Sequence, residues 1–237
     1  MAELSETVPA RIVGAPVLII VDLQGGTGQA PQTEGGIPIV TEGREARRLR
    51  VRRLVDRCRE AGVPVVWIQE VHKRSLIDIG RELDGAEGPH CIEGDDGTEI
   101  AAWLDPRPEE FVIRKRRYSA FFGTELEIVL KAYRADTVLL VGGLTDVCVH
   151  YTAVDAHQHD YHVRVIADCV AGSTRRAHDS ALAAIRYLQR DALVVADDVH
   201  GYLDARLASS SVHAGSRTRA DASTEAQEQE QEQERIV

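Results

Sequence analysis

The sequence predicts an α/β protein, a three-layer α/β/α sandwich built on a six-stranded, mostly parallel sheet. Three observations carry this expectation. Short runs of β-branched and apolar residues recur along the chain, and most of them lead into a longer stretch with helical periodicity. The first run, Val17-Leu18-Ile19-Ile20-Val21, is apolar without alternation, as a strand covered on both faces must be. An acid, a base and a thiol (Asp22, Lys115 and Cys148) fall just past the ends of such runs, where open parallel sheets collect their functional groups.

In chain order, the first strand leads into a Gly/Pro-rich loop over 25–38. Its Gly25-Gly26-Thr27-Gly28 resembles a phosphate cradle, but no Lys-Ser or Lys-Thr pair follows, so it is expected to be a flexible mouth of a site. A charged amphipathic helix over 42–61 is closed by Gly62, and Val63 to Ile68 forms the second strand. A long loop, 70–96, precedes a short helix near 98–104 and a third strand at Phe111-Val112-Ile113. The pattern continues with a helix over 124–133, a fourth strand from Thr137 to Val141 and a helix over 146–159. A fifth strand at Val163 to Ala167, a helix over 175–189 and a sixth strand at Leu193 to Ala196 complete it. With strand order 3-2-1-4-5-6, a Rossmann-like arrangement, strands one and four meet at the switch point and Asp22 and Cys148 face one crevice.

A chain of 237 residues with 43% apolar content can bury one sizeable core, so residues 1–207 are expected to form a single domain. Residues 208–237 are Ser/Ala/Thr-rich and then alternate Gln with Glu, which predicts a disordered tail. The formal net charge of −10 and the absence of a broad basic face argue against nucleic acid as a partner. No apolar stretch has the length of a signal core or a membrane span, and four cysteines without paired spacing fit a reducing cytoplasm.

The most informative stretch is Gly142-Gly143-Leu144-Thr145-Asp146-Val147-Cys148-Val149. A strand breaks at two glycines and a cysteine follows as a helix begins, so free backbone N–H groups and the helix dipole would favour a thiolate. A lone cysteine is more often a small buried hydrophobe. Asp22 and Lys115 at equivalent strand ends make it a candidate nucleophile with an acid and a cation beside it.

Three segments, Val17 to Gln24 (VLIIVDLQ), Val112 to Leu126 (VIRKRRYSAFFGTEL) and Val141 to Val149 (VGGLTDVCV), resemble the signature segments of the isochorismatase-like cysteine hydrolases. The likeness runs in order over residues 14 to about 200. It implies the isochorismatase-like hydrolase fold and a triad of Cys148 as nucleophile, Asp22 as base and Lys115 as the cation that stabilises the thiolate and orients Asp22. It also implies a cis peptide bond between Gly143 and Leu144, with the Leu144 and Cys148 N–H groups as oxyanion hole. A homo-oligomer, dimer or tetramer, is expected.

The chemistry implied is acyl transfer from a small-molecule amide, carbamoyl/ureide or lactam to the thiol, then to water. The family also contains hydrolases of the vinyl ether isochorismate, which lack the cysteine. A non-catalytic member, or a thiol sensor in which Cys91 or Cys169 resolves Cys148, are the other readings. Substrate choice is expected in the 70–96 loop, which carries His72, Arg74, Arg81, Asp84, His90 and Cys91. Gln24, His72, Tyr118 and Phe121 are the expected substrate-binding residues, with Trp67 a further apolar wall. No cofactor and no metal are expected. His150, His157 and His159 follow Cys148 without i, i+4 ligand geometry. Related nicotinamidases carry histidine ligands shortly after the first-strand aspartate, whereas no histidine lies between Asp22 and Val71.

Overall fold

The computed structural model of the chain describes residues 12–26, 42–85 and 87–209. Six strands form one sheet in the order β3-β2-β1-β4-β5-β6, every neighbouring pair parallel: β1 (Pro16–Val21), β2 (Val65–Glu70), β3 (Phe111–Lys115), β4 (Thr137–Gly143), β5 (His162–Ala171) and β6 (Leu193–Val194). The helices are α1 (Arg44–Glu60), α2 (Leu126–Ala132), α3 (His150–Gln158), α4 (Arg175–Leu188) and α5 over 196–209. The order is the one expected, with β1 and β4 adjacent where the winding of the sheet reverses.

Every residue of β1 is buried, and its side chains alternate between two cores. Val17, Ile19 and Val21 pack with Leu130 of α2, Ala153 of α3 and Ile185 of α4. Leu18 and Ile20 pack on the other face with Leu54 and Val55 of α1 and Val199 and Leu203 of α5. The sheet is therefore the middle of three layers. Each buried aliphatic side chain contributes about 2 kcal/mol, so a central strand with no exposed face is the least tolerant of a polar substitution. Local signals fix the helix ends: Thr174 Oγ1 accepts the Ala177 N–H at 3.1 Å to start α4, and Gly62, at φ 65°, lets the chain leave α1 left-handed.

Several boundaries differ from expectation. The short helix near 98–104 is two 3₁₀ turns, Asp96–Thr98 and Ala102–Leu104. β5 runs on to Ala171, absorbing a register shift against β4 between Leu140 and Gly142. β6 has two residues, and Ala196, expected in that strand, opens α5. The helix was legible in the spacing of Ala196, Val199 and Leu203, all buried, but Gly201 weakens its propensity. The expected domain boundary at 207/208 falls inside α5, and the rest of the tail, 210–237, lies outside the described residues, as do 27–38 of the glycine loop. No described helix is long and apolar enough to cross a membrane.

Candidate active site

The carboxyl ends of four neighbouring strands deliver the site. Asp22 follows β1 at φ 50°, a left-handed backbone that an aspartate tolerates better than a branched residue would. Glu70 ends β2 and Lys115 ends β3, paired in register. β4 ends in Gly142 and Gly143, and Cys148 sits in a π-helical turn, Thr145–Val149, that precedes α3. Gly142 lies at φ 119°, and a Cβ there would meet the Val21 carbonyl oxygen at 2.0 Å, so only glycine lets β4 pass the end of β1 this closely. The Gly143–Leu144 peptide bond is cis. Asp146 anchors the turn to the start of α4, its Oδ1 accepting the Ser173 N–H at 2.8 Å.

The structure brings Asp22, Lys115 and Cys148 together. Lys115 is 1% exposed, and its Nζ lies 2.9 Å from Asp22 Oδ2 and 3.4 Å from Cys148 Sγ while also donating to Glu70 Oε2. Burial works against its charge, yet Asp22, Cys148 and Glu70 hold its pKa well above the usual lysine range. Asp22 is pushed up to about 6, first by burial and then by Glu70, with Lys115 opposing. Among the described residues the Asp22 carboxylate is held by its ion pair with Lys115 and not by a backbone donor. Such a carboxylate is poised to take a proton near neutral pH.

Burial also pushes the Cys148 thiol well above its ordinary range, with Lys115 opposing and Asp22 and Glu70 adding. That shift opposes the thiolate expected from a helix start, and the turn that carries Cys148 is π-helical. A buried ammonium touches both the sulfur and the Asp22 carboxylate.

Glu70 was not among the expected site residues, and it joins this group to a second one. Its Oε1 lies 3.0 Å from His72 Nε2 and 3.0 Å from His90 Nε2, and Glu82 Oε2 lies 3.3 and 3.6 Å from the same nitrogens. All four residues are buried. The Nδ1 of His72 and both Glu82 oxygens have no hydrogen-bond partner among the described residues. His90 Nδ1 lies 2.7 Å from the Gly88 carbonyl, an arrangement that holds the ring with Nε2 towards the carboxylates. Tetrahedral donors at about 2.1 Å from a divalent ion stand roughly 3.4 Å from one another. The residues present therefore fit a metal ion. Without a cation, Glu70 and Glu82 outweigh burial and raise His72 to about 9, so the cluster accommodates positive charge either way.

No metal was expected, yet these four residues stand close enough together to hold one. That expectation weighed histidines next to Asp22 and on α3, whereas the converging pair comes from the long loop. There His72 and Ile92 form a parallel bridge, with His72 N–H donating to Cys91 O and Glu93 N–H to His72 O, both at 2.8 Å. The legible signal was Glu70-x-His72 at a strand end.

A cavity of about 270 Å³ opens onto Cys148, lined by Asp22, Gln24, Glu70, Tyr118, Leu144 and Trp103 among others. Gln24 borders it as a strut: its Nε2 donates to Glu70 O at 2.8 Å and Thr98 O at 2.6 Å, and its Oε1 accepts the Glu70 N–H at 3.2 Å. Three expected wall residues do not line it. His72 is fully buried behind Glu70. Phe121 packs on the core with its ring stacked on His159 and Tyr161. Trp67 is buried in β2 facing α1, its Nε1 donating to Glu110 at 2.8 Å, and Trp103 takes the place expected for it. All four cysteines are free, and Cys91 and Cys169 border the same cavity.

Comparison with known proteins places this geometry. The isochorismatase domain model matches residues 16–197. A "probable inactive nicotinamidase" of Arabidopsis thaliana is 32% identical over 171 residues, covering 68% of this chain and 83% of that protein. The maleamate amidohydrolase of Pseudomonas putida is 29% identical over 174 residues, covering 70% of this chain and 77% of that enzyme. The crystal structure of the pyrazinamidase of Pyrococcus horikoshii in complex with zinc superposes with a TM-score of 0.63 at 25% identity, covering 77% of this chain and 98% of that one.

Proposed function

The chain belongs to the isochorismatase domain family, and on that premise we propose that it is a cysteine-dependent amidohydrolase cleaving the C–N bond of a small amide, carbamoyl/ureide or lactam. One observation carries the reading: a single buried ammonium reaches both the Asp22 carboxylate and the Cys148 sulfur at the floor of a small-molecule cavity. Asp22 takes the thiol proton as sulfur attacks the carbonyl carbon, and the C=O electron pair moves to oxygen. The N–H groups of Leu144 and Cys148 are the proposed oxyanion donors, a role supported by their place on the cavity wall. Collapse breaks the C–N bond, with the proton passing from Asp22 to the leaving nitrogen. Water, deprotonated by Asp22, then cleaves the thioester and the proton returns to sulfur.

The presence of Cys148 at the point of attack favours this over vinyl-ether hydrolysis. One relative is named inactive; the proximity of Asp22, Lys115 and Cys148 supports an active reading of this chain. The reading is tested by ammonia or amine release from a panel of small carboxamides, ureides and lactams. kcat/KM is expected to rise with pH through an acid limb near 6, because the reaction needs Asp22 ionised and its carboxyl lies raised at about 6. The apparent value belongs to Asp22 together with its buried neighbours. An acid limb near 4, or one unchanged in Asp22→Asn, would remove Asp22 from the base role.

Glu70, His72, Glu82 and His90 are the residues that would hold a divalent metal ion, a reading supported by their mutual distances. Bound there, it would supply Lewis-acid chemistry through Glu70 next to Lys115 and Cys148. Elemental analysis of purified protein is expected to find about one equivalent of a first-row divalent metal by the donor count, and His72→Ala with His90→Ala is expected to remove it. Metal-free wild-type protein that takes up no zinc or manganese on titration would refute the site.

A further inference from the structure

Cys148 rides on a turn that its own helix does not secure. Thr145–Val149 is a single π-helical turn, a rare geometry, and Leu144 at its head offers no side-chain cap. The Leu144 carbonyl accepts the N–H groups of both Val147 and Val149, each at 3.1 Å. Leu144, Val147 and Cys148 line the cavity, whereas Thr145 and Asp146 are not among its wall residues. Threonine and aspartate ordinarily cap a helix from within. Here their side chains instead bind α4 and the residues that lead into it.

The register of the sheet brings those residues close. β5 runs on to Ala171, which pairs with Gly143, so the chain after it passes behind the turn. Asp146 Oδ1 accepts the Ser173 N–H at 2.8 Å, and its Oδ2 accepts the Ser173 hydroxyl at 2.5 Å. Thr145 is fully buried, and its hydroxyl lies 2.9 Å from Nδ1 of His178, near the start of α4. Burial holds the His178 imidazole below its ordinary pKa, so the neutral ring meets the hydroxyl at neutral pH. A Cβ on Gly172 would stand 2.5 Å from Asp146 Oδ1 and 2.9 Å from His178 Cβ, so only glycine lets the two contacts close side by side.

We propose that Ser173 and His178 are positioning residues for the nucleophile: they fix Asp146 and Thr145 from behind and so set where the Cys148 sulfur and the Leu144 and Cys148 N–H groups stand. This rests on the reading of Cys148 as the attacking group. Neither Ser173 nor His178 lines the cavity, so both act only through the turn. Because the two contacts fall on adjacent residues, they resist rotation of the turn as well as its displacement. A buried hydroxyl that loses its partner must shift to find another, and a misplacement of about 1 Å at a reacting group costs roughly a hundredfold in rate.

The test uses propionaldehyde, a small carbonyl that adds reversibly to a well-placed thiol. The sulfur–carbon bond forms, the C=O π pair moves to oxygen and the thiol proton ends on that oxygen, giving a thiohemiacetal that sits where a tetrahedral intermediate would. Its dissociation constant is read from protection of Cys148 against iodoacetamide at neutral pH. His178→Leu and Ser173→Ala are each expected to weaken the aldehyde about tenfold relative to wild type. Ser173→Ala keeps the backbone N–H bond to Asp146 and guards against misfolding of His178→Leu. His178→Asn, whose amide nitrogen takes the place of Nδ1, is expected to restore most of the affinity.

Contacts that served only the fold would lower the melting temperature of the variants and leave the aldehyde constant of the folded protein unchanged. That result would overturn the positioning role, as would His178→Asn weakening the aldehyde as much as His178→Leu. An aldehyde that gives wild-type Cys148 no protection would overturn it too, since the turn would then hold no placed thiol. Variants that lose the aldehyde while wild type hydrolyses no amide would sink the amidohydrolase reading and leave the positioning role standing. Amide hydrolysis by wild type, with aldehyde binding unchanged in the variants, would do the reverse.

Discussion

Replacing Cys148 with serine is expected to lower turnover by roughly 10³- to 10⁶-fold, the loss seen when a unit of interdependent catalytic groups loses its nucleophile. Cys148 is 7% exposed and packs at the edge of the core around β1, so exchange of sulfur for oxygen changes little volume. The melting temperature should move by no more than about 1 kcal/mol would shift it. The chemistry changes far more. A hydroxyl starts from a pKa far above that of a thiol, and the same burial that lifts Cys148 would lift it further, beyond what Asp22 at about 6 can deprotonate. The measurement is ammonia release by the purified variant against its melting curve. Retained turnover would move the nucleophile elsewhere, and a collapsed melting transition would make Cys148 a packing residue.

The strand order and the convergence of Asp22, Lys115 and Cys148 were legible because both depend on local pattern. An unalternating apolar run ending in Asp22, and two glycines before Cys148, encode strand ends at a switch point without reference to distant sequence. What sequence did not reveal depends on which loop residues fold back on which. Glu70 reads as the first residue of the long loop, and nothing local says that its carboxylate turns inward to meet Lys115, Cys148, His72 and His90. His72 looked like a cavity wall because it follows β2 closely. The parallel bridge to Ile92 instead draws it behind Glu70, a contact across the long loop that periodicity cannot register. Phe121 and Trp67 were expected in the cavity on ring size alone, although side-chain alternation places Trp67 on the α1 face of β2. The arginines of α1 read as the solvated face of an amphipathic helix, and only the packing of that helix beside the strand ends makes them part of the cavity.

Lys115→Met is expected to reduce stability and nucleophilicity together, and the two effects have opposite dependence on pH. The side chain is buried against two carboxylates, so removing its charge leaves Asp22 without its cation and Glu70 with only His72 and His90, a cost of about 3–5 kcal/mol at neutral pH. Asp22 in the folded protein already lies above its unfolded value of 3.8, at about 6, and rises further without Lys115. A carboxyl whose folded pKa is raised opposes folding above its unfolded value. The deficit from Asp22 is therefore absent below pH about 4 and grows as pH rises through 6. Glu70, held low in the wild type by Lys115, His72 and His90, stabilises the fold above its unfolded value of 4.5, and the variant loses part of that contribution in the same range. Melting temperatures of variant and wild type should thus converge near pH 4 and separate towards pH 8. Alkylation of Cys148 by iodoacetamide should run the other way, slowed at neutral pH where the ammonium no longer favours the thiolate, and recovering as pH rises. Arg116→Met is the control: Arg116 Nε pairs with Asp78 Oδ2 at 2.8 Å and its Nη1 donates to the Lys115 backbone carbonyl at 3.3 Å, so its charge is paired outside the Lys115 ammonium's own contacts. A basic run acting only through its general potential would make the two variants alike. Coincident alkylation profiles in wild type, Lys115→Met and Arg116→Met would remove Lys115 from the catalytic group, because an ammonium 3.4 Å from sulfur cannot be deleted without changing the ease of ionising that sulfur.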